Sequence, residues 1–318
     1  MPPDPWLHER SDFSDLIRIV AGERGLLPAL VEKDYWIMHC LYGLNAQGLS
    51  FELKGGTSLS KGFGIIQRFS EDIDIRIDPA CAPFEVFSAP NQTRKARHID
   101  SRKQFYDWLA DMIQITGIVD IVRDHAFDDE KYRSGGIRLH YGTTFDNPAD
   151  LKEGILLEVG FDDTLPNMPK TISSWAFDRA LETDIAVTDN RAIGVPCYHP
   201  GYTFVEKLQT ISTKFRRQQD NREMPPNFLR HYYDIGQLLE HPVVTAFIGT
   251  PEYRERKERR FRKGDNLVIA ENEAFLLSDP EIREQYTLAY QATASLYFGE
   301  QIPFDAILDK IQKHIGEL

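Results

Sequence analysis

The chain has 318 residues, of which 42% are hydrophobic and 27% are charged. This is the composition of an ordinary folded protein, which excludes a wholly disordered chain, and the length suffices for one large domain or two modest ones. The net charge of −12 argues against a general nucleic-acid coat protein, because binding along the phosphate backbone requires clustered positive charge.

The sequence contains no pattern typical of a membrane or disulfide-bonded protein. No stretch approaches the roughly 18 consecutive apolar residues of a membrane helix, and the N-terminus lacks a basic start followed by an apolar run. The cysteines Cys40, Cys81 and Cys197 lie far apart and form no CxxC pair, which favours neither a zinc site nor a disulfide framework. A cytoplasmic location with no membrane contact is therefore expected.

Helices and strands alternate in the first part of the chain. Apolar residues at helical spacing predict a helix over residues 27–44, with Asp34 expected at the edge of its apolar stripe. Residues 51–54 are predicted to form a short strand. Residues 79–99 contain three prolines and are predicted to be a loop, and residues 100–116 a helix.

Further strands are predicted over residues 118–122, 136–141 and 154–161, with a weaker candidate at 185–188. In the segment 154–161 the apolar residues alternate along the strand. Because successive side chains of a strand point to opposite faces, Glu158 is expected on the face opposite to this apolar set.

After residue 200 the pattern becomes helical. A helical stripe runs over residues 204–215, a polar loop follows at 218–226, and a second helical stripe covers 228–239. Strands with helices followed by helices alone indicate an α+β architecture. We predict two domains, a catalytic core with N-terminal helices at residues 1–199 and a helical domain at 200–318 that completes the active site.

The segment from Ser70 to Asp78 carries the strongest chemical pattern. Strict alternation predicts a half-buried strand in which Asp72 and Asp74 share one face. Two such carboxylates can hold one Mg²⁺ ion together, since Mg²⁺ prefers oxygen ligands, and two metal ions about 4 Å apart can activate an attacking oxygen and stabilise a leaving one. Glu158 is the candidate third carboxylate, although a pair of aspartates alone is more often a solvated strand face.

The segment just before this strand is predicted to be a strand-to-helix turn, formed by Gly55, Gly56, Thr57 and Ser58. Backbone N–H groups at such a turn, assisted by the helix N-terminus, bind phosphate well, although a Gly-Gly pair alone is more often a simple chain reversal. Lys54 is equally compatible with a phosphate contact and with a strand edge. A phosphate-binding turn beside two carboxylates that can bind metal is typical of a nucleoside triphosphate (NTP) site.

These segments closely resemble the AbiEii/AbiGii toxin family, which belongs to the DNA polymerase β-like nucleotidyltransferase superfamily. The resemblance spans roughly residues 28 to 240 and is specific only when its motifs are combined. The matching segments are Val31-Glu-Lys-Asp-Tyr-Trp-Ile37, Lys54-Gly-Gly-Thr-Ser-Leu-Ser-Lys61, Arg68-Phe-Ser-Glu-Asp-Ile-Asp-Ile75, Phe204-Val-Glu-Lys-Leu208 and Arg230-His-Tyr-Tyr-Asp-Ile-Gly-Gln-Leu-Leu239.

The resemblance implies a polymerase β-like nucleotidyltransferase core with a small mixed sheet, a helical C-terminal region, NTP as co-substrate and Mg²⁺ as cofactor. Carried over by position, the implied site residues are the metal ligands Asp72 and Asp74, the turn residues Thr57 and Ser58 beside the triphosphate, and the later pair Lys207 and Asp234.

Characterised members of the family act as toxins in bacterial toxin–antitoxin or phage-defence pairs, and some transfer nucleotides to the 3′ end of transfer RNA. We therefore expect a Mg²⁺-dependent nucleotidyltransferase toxin that modifies an RNA acceptor, which the resemblance implies is tRNA, with a cognate antitoxin as its protein partner. Two alternatives stay open: an enzyme that modifies a protein hydroxyl or a small molecule, and a catalytically silent binding partner.

Several charged residues have two readings from the sequence. Arg68 can neutralise phosphate charge or pair with Glu71. Lys207 is predicted to contact the triphosphate. The alternative is a structural lysine whose side chain extends along the helix to solvent. Asp234 is predicted to orient Lys207 or to bind water near the metals. The alternative is a surface ion pair with Arg230, four residues earlier on the helix.

A basic segment covers residues 253–263, outside the resemblance. It can supply phosphate contacts for an RNA acceptor, although charge runs are most often solvated helix faces. Its cationic residues are Arg254, Arg256, Lys257, Arg259, Arg260, Arg262 and Lys263.

Overall fold

The computed structural model describes residues 4–92, 94–146, 148, 151–183, 185–225, 227–294, 297–299 and 301–318. The chain forms two compact units: the first comprises Met1–Gly62 and Ser70–Tyr198, and the second Phe63–Phe69 and His199–Leu318. The division into functional domains at residue 200 stays a prediction.

The first unit is built on a mixed sheet. Its strands are β1 (Phe51–Lys54), β2 (Asp72–Ile77), β3 (Ile118–Asp124), β4 (Ser134–Tyr141), β5 (Ile155–Gly160), β6 (Asn167–Ile172) and β7 (Ala192–Tyr198). They follow the order β3-β4-β5-β2-β1-β7-β6 across the sheet. Strand β2 pairs parallel with β5, and β1 pairs parallel with β7, whereas the other neighbours are antiparallel. The predicted mixed sheet and α+β class are confirmed.

The helices of the first unit are α1 (Phe13–Arg24), α2 (Pro28–Ala46), α3 (Gly55–Thr57), α4 (Ala96–Met112) and α5 (Trp175–Leu181). Helix α3 is a single short turn that continues directly into a π-helical turn at Ser58–Gly62. Helix α2 is buried on nearly all sides, whereas a helix with one apolar stripe exposes its opposite face. The expectation that Asp34 lies at the helix edge is therefore wrong, because its side chain is buried.

The strand predictions fail near residues 167–198. Residues 185–188 do not form a strand; instead the Thr188 N–H donates to the carbonyl oxygen of Pro5 at 2.9 Å. The sequence reading missed β6 and β7, which contain Pro169 and Pro196. Proline has no backbone N–H to donate to a neighbouring strand, so a segment that contains it is not predicted as a strand. Pro169 is tolerated in β6 because β6 lies at the edge of the sheet.

The second unit is helical in most of its described residues. Its helices are α6 (Pro200–Asn221), α7 (Arg230–Leu238), α8 (Pro242–Thr245), α9 (Pro251–Arg260), α10 (Glu273–Leu276), α11 (Pro280–Gln291) and α12 (Phe304–His314). Four of them begin with proline, whose fixed φ and missing N–H suit the first helical position. Among the described residues, no helix is both long and apolar enough to cross a membrane.

Candidate active site

The carboxylates of the first unit lie where the alternation of the strands placed them. Asp72 and Asp74 are partly exposed on β2, while the intervening Ile73 is fully buried on the other face. Strand β5 runs parallel to β2 with Glu158 directly opposite Asp74. Residues in register on neighbouring strands share a face, so Glu158 lies on the same side of the sheet as Asp72 and Asp74.

These carboxylates are electrostatically coupled. Burial, together with the negative charge of Asp74, raises the pKa of Glu158 to about 7, while Lys54 and Lys152 oppose the rise. Carboxylates crowded in this way favour a cation between them, because each disfavours ionisation of the other. The site thus has the oxygen donors and the excess negative charge that suit a hard divalent cation.

The glycine turn is packed against one of these carboxylates. Gly55 has a φ of +70°, and a Cβ atom built on it would lie 1.8 Å from Asp74 Oδ2. A glycine is therefore required here by both the backbone conformation and the close approach of the Asp74 side chain. The turn does more than reverse the chain, since it seats a carboxylate of the site.

The hydroxyl residues of the turn face the interior. Thr57 Oγ1 donates a hydrogen bond of 2.6 Å to the Asp72 carbonyl oxygen, which ties the turn to β2. Ser58 is equally buried, and its hydroxyl lies beside the Cys197 thiol. The side-chain hydroxyls of Thr57 and Ser58 are thus turned away from solvent. The expected place of Gly56, Thr57 and Ser58 beside a triphosphate stays a prediction.

Two further motif residues anchor this turn. Lys61 Nζ lies 2.5 Å from Asp34 Oδ1 and donates to the Ser173 carbonyl oxygen at 2.9 Å. The other oxygen of Asp34 accepts from the Trp175 N–H at 2.9 Å. Burial raises the pKa of Asp34, and Lys61 counteracts that rise. Asp34 and Lys61 therefore connect α2 to the glycine turn and to the start of α5.

Lys152 lies beside these carboxylates, and the sequence analysis did not identify it. Its Nζ lies 2.9 Å from Asp72 Oδ2 and 3.2 Å from Asp72 Oδ1. The residue precedes β5 in a stretch without recognisable motifs, so no local pattern distinguished it from other surface lysines. Only the fold brings it to the carboxylates.

A second charged cluster lies in the second unit around Asp234 of α7. The Arg68 guanidinium donates to both carboxylate oxygens of Asp234 at 2.7 Å each, and Lys207 Nζ lies 2.6 Å from Asp234 Oδ2. The side chains of Arg68 and Asp234 are 2% and 0% exposed. The predicted pairing of Asp234 with Lys207 is thus present, and the alternative of a surface pair with Arg230 is wrong.

Arg68 itself corrects the sequence reading. It neither pairs with Glu71, which contacts Lys33 instead at 3.3 Å, nor reaches solvent as a phosphate ligand would, because its charge is used on buried Asp234. Burial alone would raise the pKa of Asp234, but Arg68 and Lys207 together hold it well below its ordinary value. Two cations on one carboxylate leave this cluster with excess positive charge.

Part of the basic segment is used within the second unit. Arg256 donates to Glu206 of α6 at 2.7 Å, and Arg260 lies 4.0 Å from the same carboxylate. Lys257 donates to the Leu318 carbonyl oxygen. Arg254, Arg259, Arg262 and Lys263 are exposed, and of these Arg259 pairs with Glu255 on the same helix.

Comparison with known proteins supports one family. The model of the family described as "Nucleotidyl transferase AbiEii toxin, Type IV TA system" matches residues 39–310. Among solved structures, the chain is similar to MenT4, a nucleotidyltransferase toxin from Mycobacterium tuberculosis H37Rv, with 16% identity, 94% of each chain covered and a TM-score of 0.48. Comparison with curated proteins finds no match. Because the family model covers most of its length, the chain belongs to the AbiEii family, the nucleotidyltransferase toxins of type IV toxin–antitoxin systems.

Proposed function

We propose that this nucleotidyltransferase transfers a nucleotide from an NTP to an RNA acceptor, the 3′ end of a tRNA, with Mg²⁺ held by Asp72, Asp74 and Glu158. In this reaction the acceptor hydroxyl attacks the α-phosphate of the NTP and a new phosphodiester bond forms. The bond between the α- and β-phosphates breaks, and pyrophosphate leaves.

The observation that carries the proposal is the register of two strands. Strand β2 supplies Asp72 and Asp74 two residues apart on one face, and β5 supplies Glu158 opposite Asp74. Nothing in sheet packing requires three carboxylates on one face, and their mutual repulsion costs stability. A bound cation compensates that cost, and the coupling of Glu158 to Asp74 supports a site of this kind.

The donor set fits a metal shared with a substrate. Among the residues that the structure describes, no three histidine, cysteine, aspartate or glutamate side chains form a group ready to hold a metal ion. Mg²⁺ is usually bound through one or two carboxylates plus substrate phosphates and water, so a complete protein cage is not expected. When bound, the metal would neutralise phosphate charge and polarise the reacting oxygens.

The cluster around Asp234 supports a role in handling the triphosphate. Lys207 is a compact cation fixed by Asp234, and Arg68 supplies the second positive charge of the cluster. A lysine held in this way can act as a point charge on a phosphate. We propose that Lys207 contacts the triphosphate and that Asp234 positions it, with Arg68 holding Asp234.

The acceptor class comes from the family resemblance. The exposed cations Arg254, Arg262 and Lys263 support RNA binding, since they contrast with the net charge of −12 of the whole chain. Membership of a type IV toxin–antitoxin family implies a cognate antitoxin. We propose that nucleotide addition to tRNA is the toxic activity that this antitoxin counteracts.

A labelling experiment tests the proposal. The purified protein is incubated with Mg²⁺, total RNA and each α-³²P-labelled NTP in turn, with the Asp74→Asn variant as control. We expect label in tRNA with the wild-type protein and none with the variant. Label that enters protein or small molecules instead, or transfer that is unchanged by chelating the metal, would contradict the proposed acceptor or cofactor respectively.

A further inference from the structure

Lys152 is held at the carboxylate site through its backbone. Its N–H donates to Glu71 Oε2 at 3.0 Å, and its carbonyl oxygen accepts from Lys33 Nζ at 2.6 Å. Lys33 and Glu71 also pair with each other at 3.3 Å, with side chains 1% and 15% exposed. A largely buried ion pair thus holds residue 152 at both its backbone N–H and its carbonyl oxygen.

Helix α2, which carries Lys33, also contacts the chain at a second point before β5. Glu32, the neighbour of Lys33 on α2, accepts from the Thr144 N–H with both carboxylate oxygens, at 2.9 and 3.2 Å. Glu32 and Lys33 are both buried, and burial raises the pKa of Glu32 and lowers that of Lys33. Two consecutive buried charges, each desolvated at a cost, therefore hold the backbone at Thr144 and at Lys152.

The side chain of Lys152 is directed at the carboxylates. Its ammonium bonds both oxygens of Asp72 and is close enough to Glu158 to lower the pKa of that group. The ammonium also lies 5.2 Å from the Phe127 ring centroid, in cation–π range. A free surface lysine would need no buried clamp, so the arrangement indicates that the position of this cation matters.

We propose that Lys152 is the built-in counter-cation of the carboxylate site, whose ammonium occupies, in the free enzyme, the place on Asp72 that a divalent cation takes. The inference rests on the proposed metal site. It explains how the free protein tolerates three neighbouring carboxylates. It also predicts that metal binding has to displace the ammonium, so that Lys152 lowers the affinity for metal in the absence of nucleotide.

The test measures metal binding with Mn²⁺ alone, by the loss of the electron paramagnetic resonance signal of free Mn²⁺, for the wild type, Lys152→Ala and Lys152→Arg. Because a partly exposed ion pair contributes modestly, we expect Lys152→Ala to bind Mn²⁺ about fivefold more tightly than the wild type. Lys152→Arg, which keeps the charge, should remain close to the wild type. The matched control Lys103→Ala removes an exposed lysine paired with Asp107 and should leave the affinity for Mn²⁺ unchanged.

A second variant tests the clamp. Lys33→Met with Glu71→Leu removes the buried pair as a unit, which avoids leaving one charge unpaired. We expect this double variant to bind Mn²⁺ more tightly than the wild type, as Lys152→Ala does. Adding Lys152→Ala to it should have little further effect, since both changes act through one interaction.

The outcomes separate the two proposals. Unchanged or weaker Mn²⁺ binding by Lys152→Ala, with binding by the wild type intact and lost in Asp74→Asn, overturns the counter-cation and keeps the metal site. Equal binding by the wild type and Asp74→Asn, or no binding by any variant, overturns the metal site itself and the counter-cation with it.

Discussion

Replacing Gly55 with alanine tests whether the glycine turn serves to seat the Asp74 carboxylate. The substitution has two separable costs. A φ of +70° is unfavourable for alanine by about 1–2 kcal/mol. In addition, the new Cβ would lie 1.8 Å from Asp74 Oδ2, 2.7 Å from its Cγ and 2.9 Å from its Cβ, so the aspartate side chain has to move.

A matched control separates these costs. Gly48 has a φ of +76° and no atom within 4 Å of an added Cβ, so Gly48→Ala carries the backbone strain without the collision. Gly48→Ala should lose about 1–2 kcal/mol in the free energy of unfolding measured with urea, and Gly55→Ala should lose at least as much. Only Gly55→Ala should also lose nucleotide transfer, by about 100-fold, because a shift of about 1 Å in a reacting group has that effect.

The assay is incorporation of label from α-³²P-labelled NTP into RNA, at protein concentrations and temperatures where both variants are fully folded. Equal transfer rates for Gly55→Ala and Gly48→Ala would contradict a role of the turn in placing Asp74. The turn would then be a chain reversal whose contact with Asp74 has no bearing on catalysis.

The remaining predictions concern charge. Asp74→Asn should abolish transfer while leaving the melting temperature unchanged or raised, because it relieves repulsion with Glu158; a clear drop in melting temperature would contradict this. Asp234→Asn should destabilise the protein by about 3–5 kcal/mol in urea unfolding, since two cations stay buried without a counter-charge, and a loss below about 1 kcal/mol would show that these cations reach water. Burial and the nearby His39 lower the pKa of His8 from 6.5 to about 4. Neutral His8 thus stabilises the fold above pH 6.5, and that contribution is lost as the pH falls from 6.5 towards 4. His8→Phe should flatten the pH dependence of the free energy of unfolding in this window, and an unchanged slope would exclude His8 as its source.

Features that depend on local periodicity were predictable from the order of the residues alone. The period-two alternation from Ser70 to Asp78 predicted a strand with Asp72 and Asp74 on one face, and the structure has that strand. The same rule placed Glu158 on the polar face of its own strand. These predictions hold because the side-chain direction in a strand follows from backbone geometry alone. The motifs then identified the family.

Which of these faces and charges meet depends on how the chain folds in three dimensions. Arg68 and Asp234 are 166 residues apart in the chain, and Lys152 reaches Asp72 across 80 residues, so no spacing in the sequence relates them. The partner of Arg68 was open from sequence between phosphate charge and Glu71, and Asp234 was not among the candidates. The fold settled it by burying Arg68 beside Asp234, where a charge without a partner would be far more costly than one at the surface.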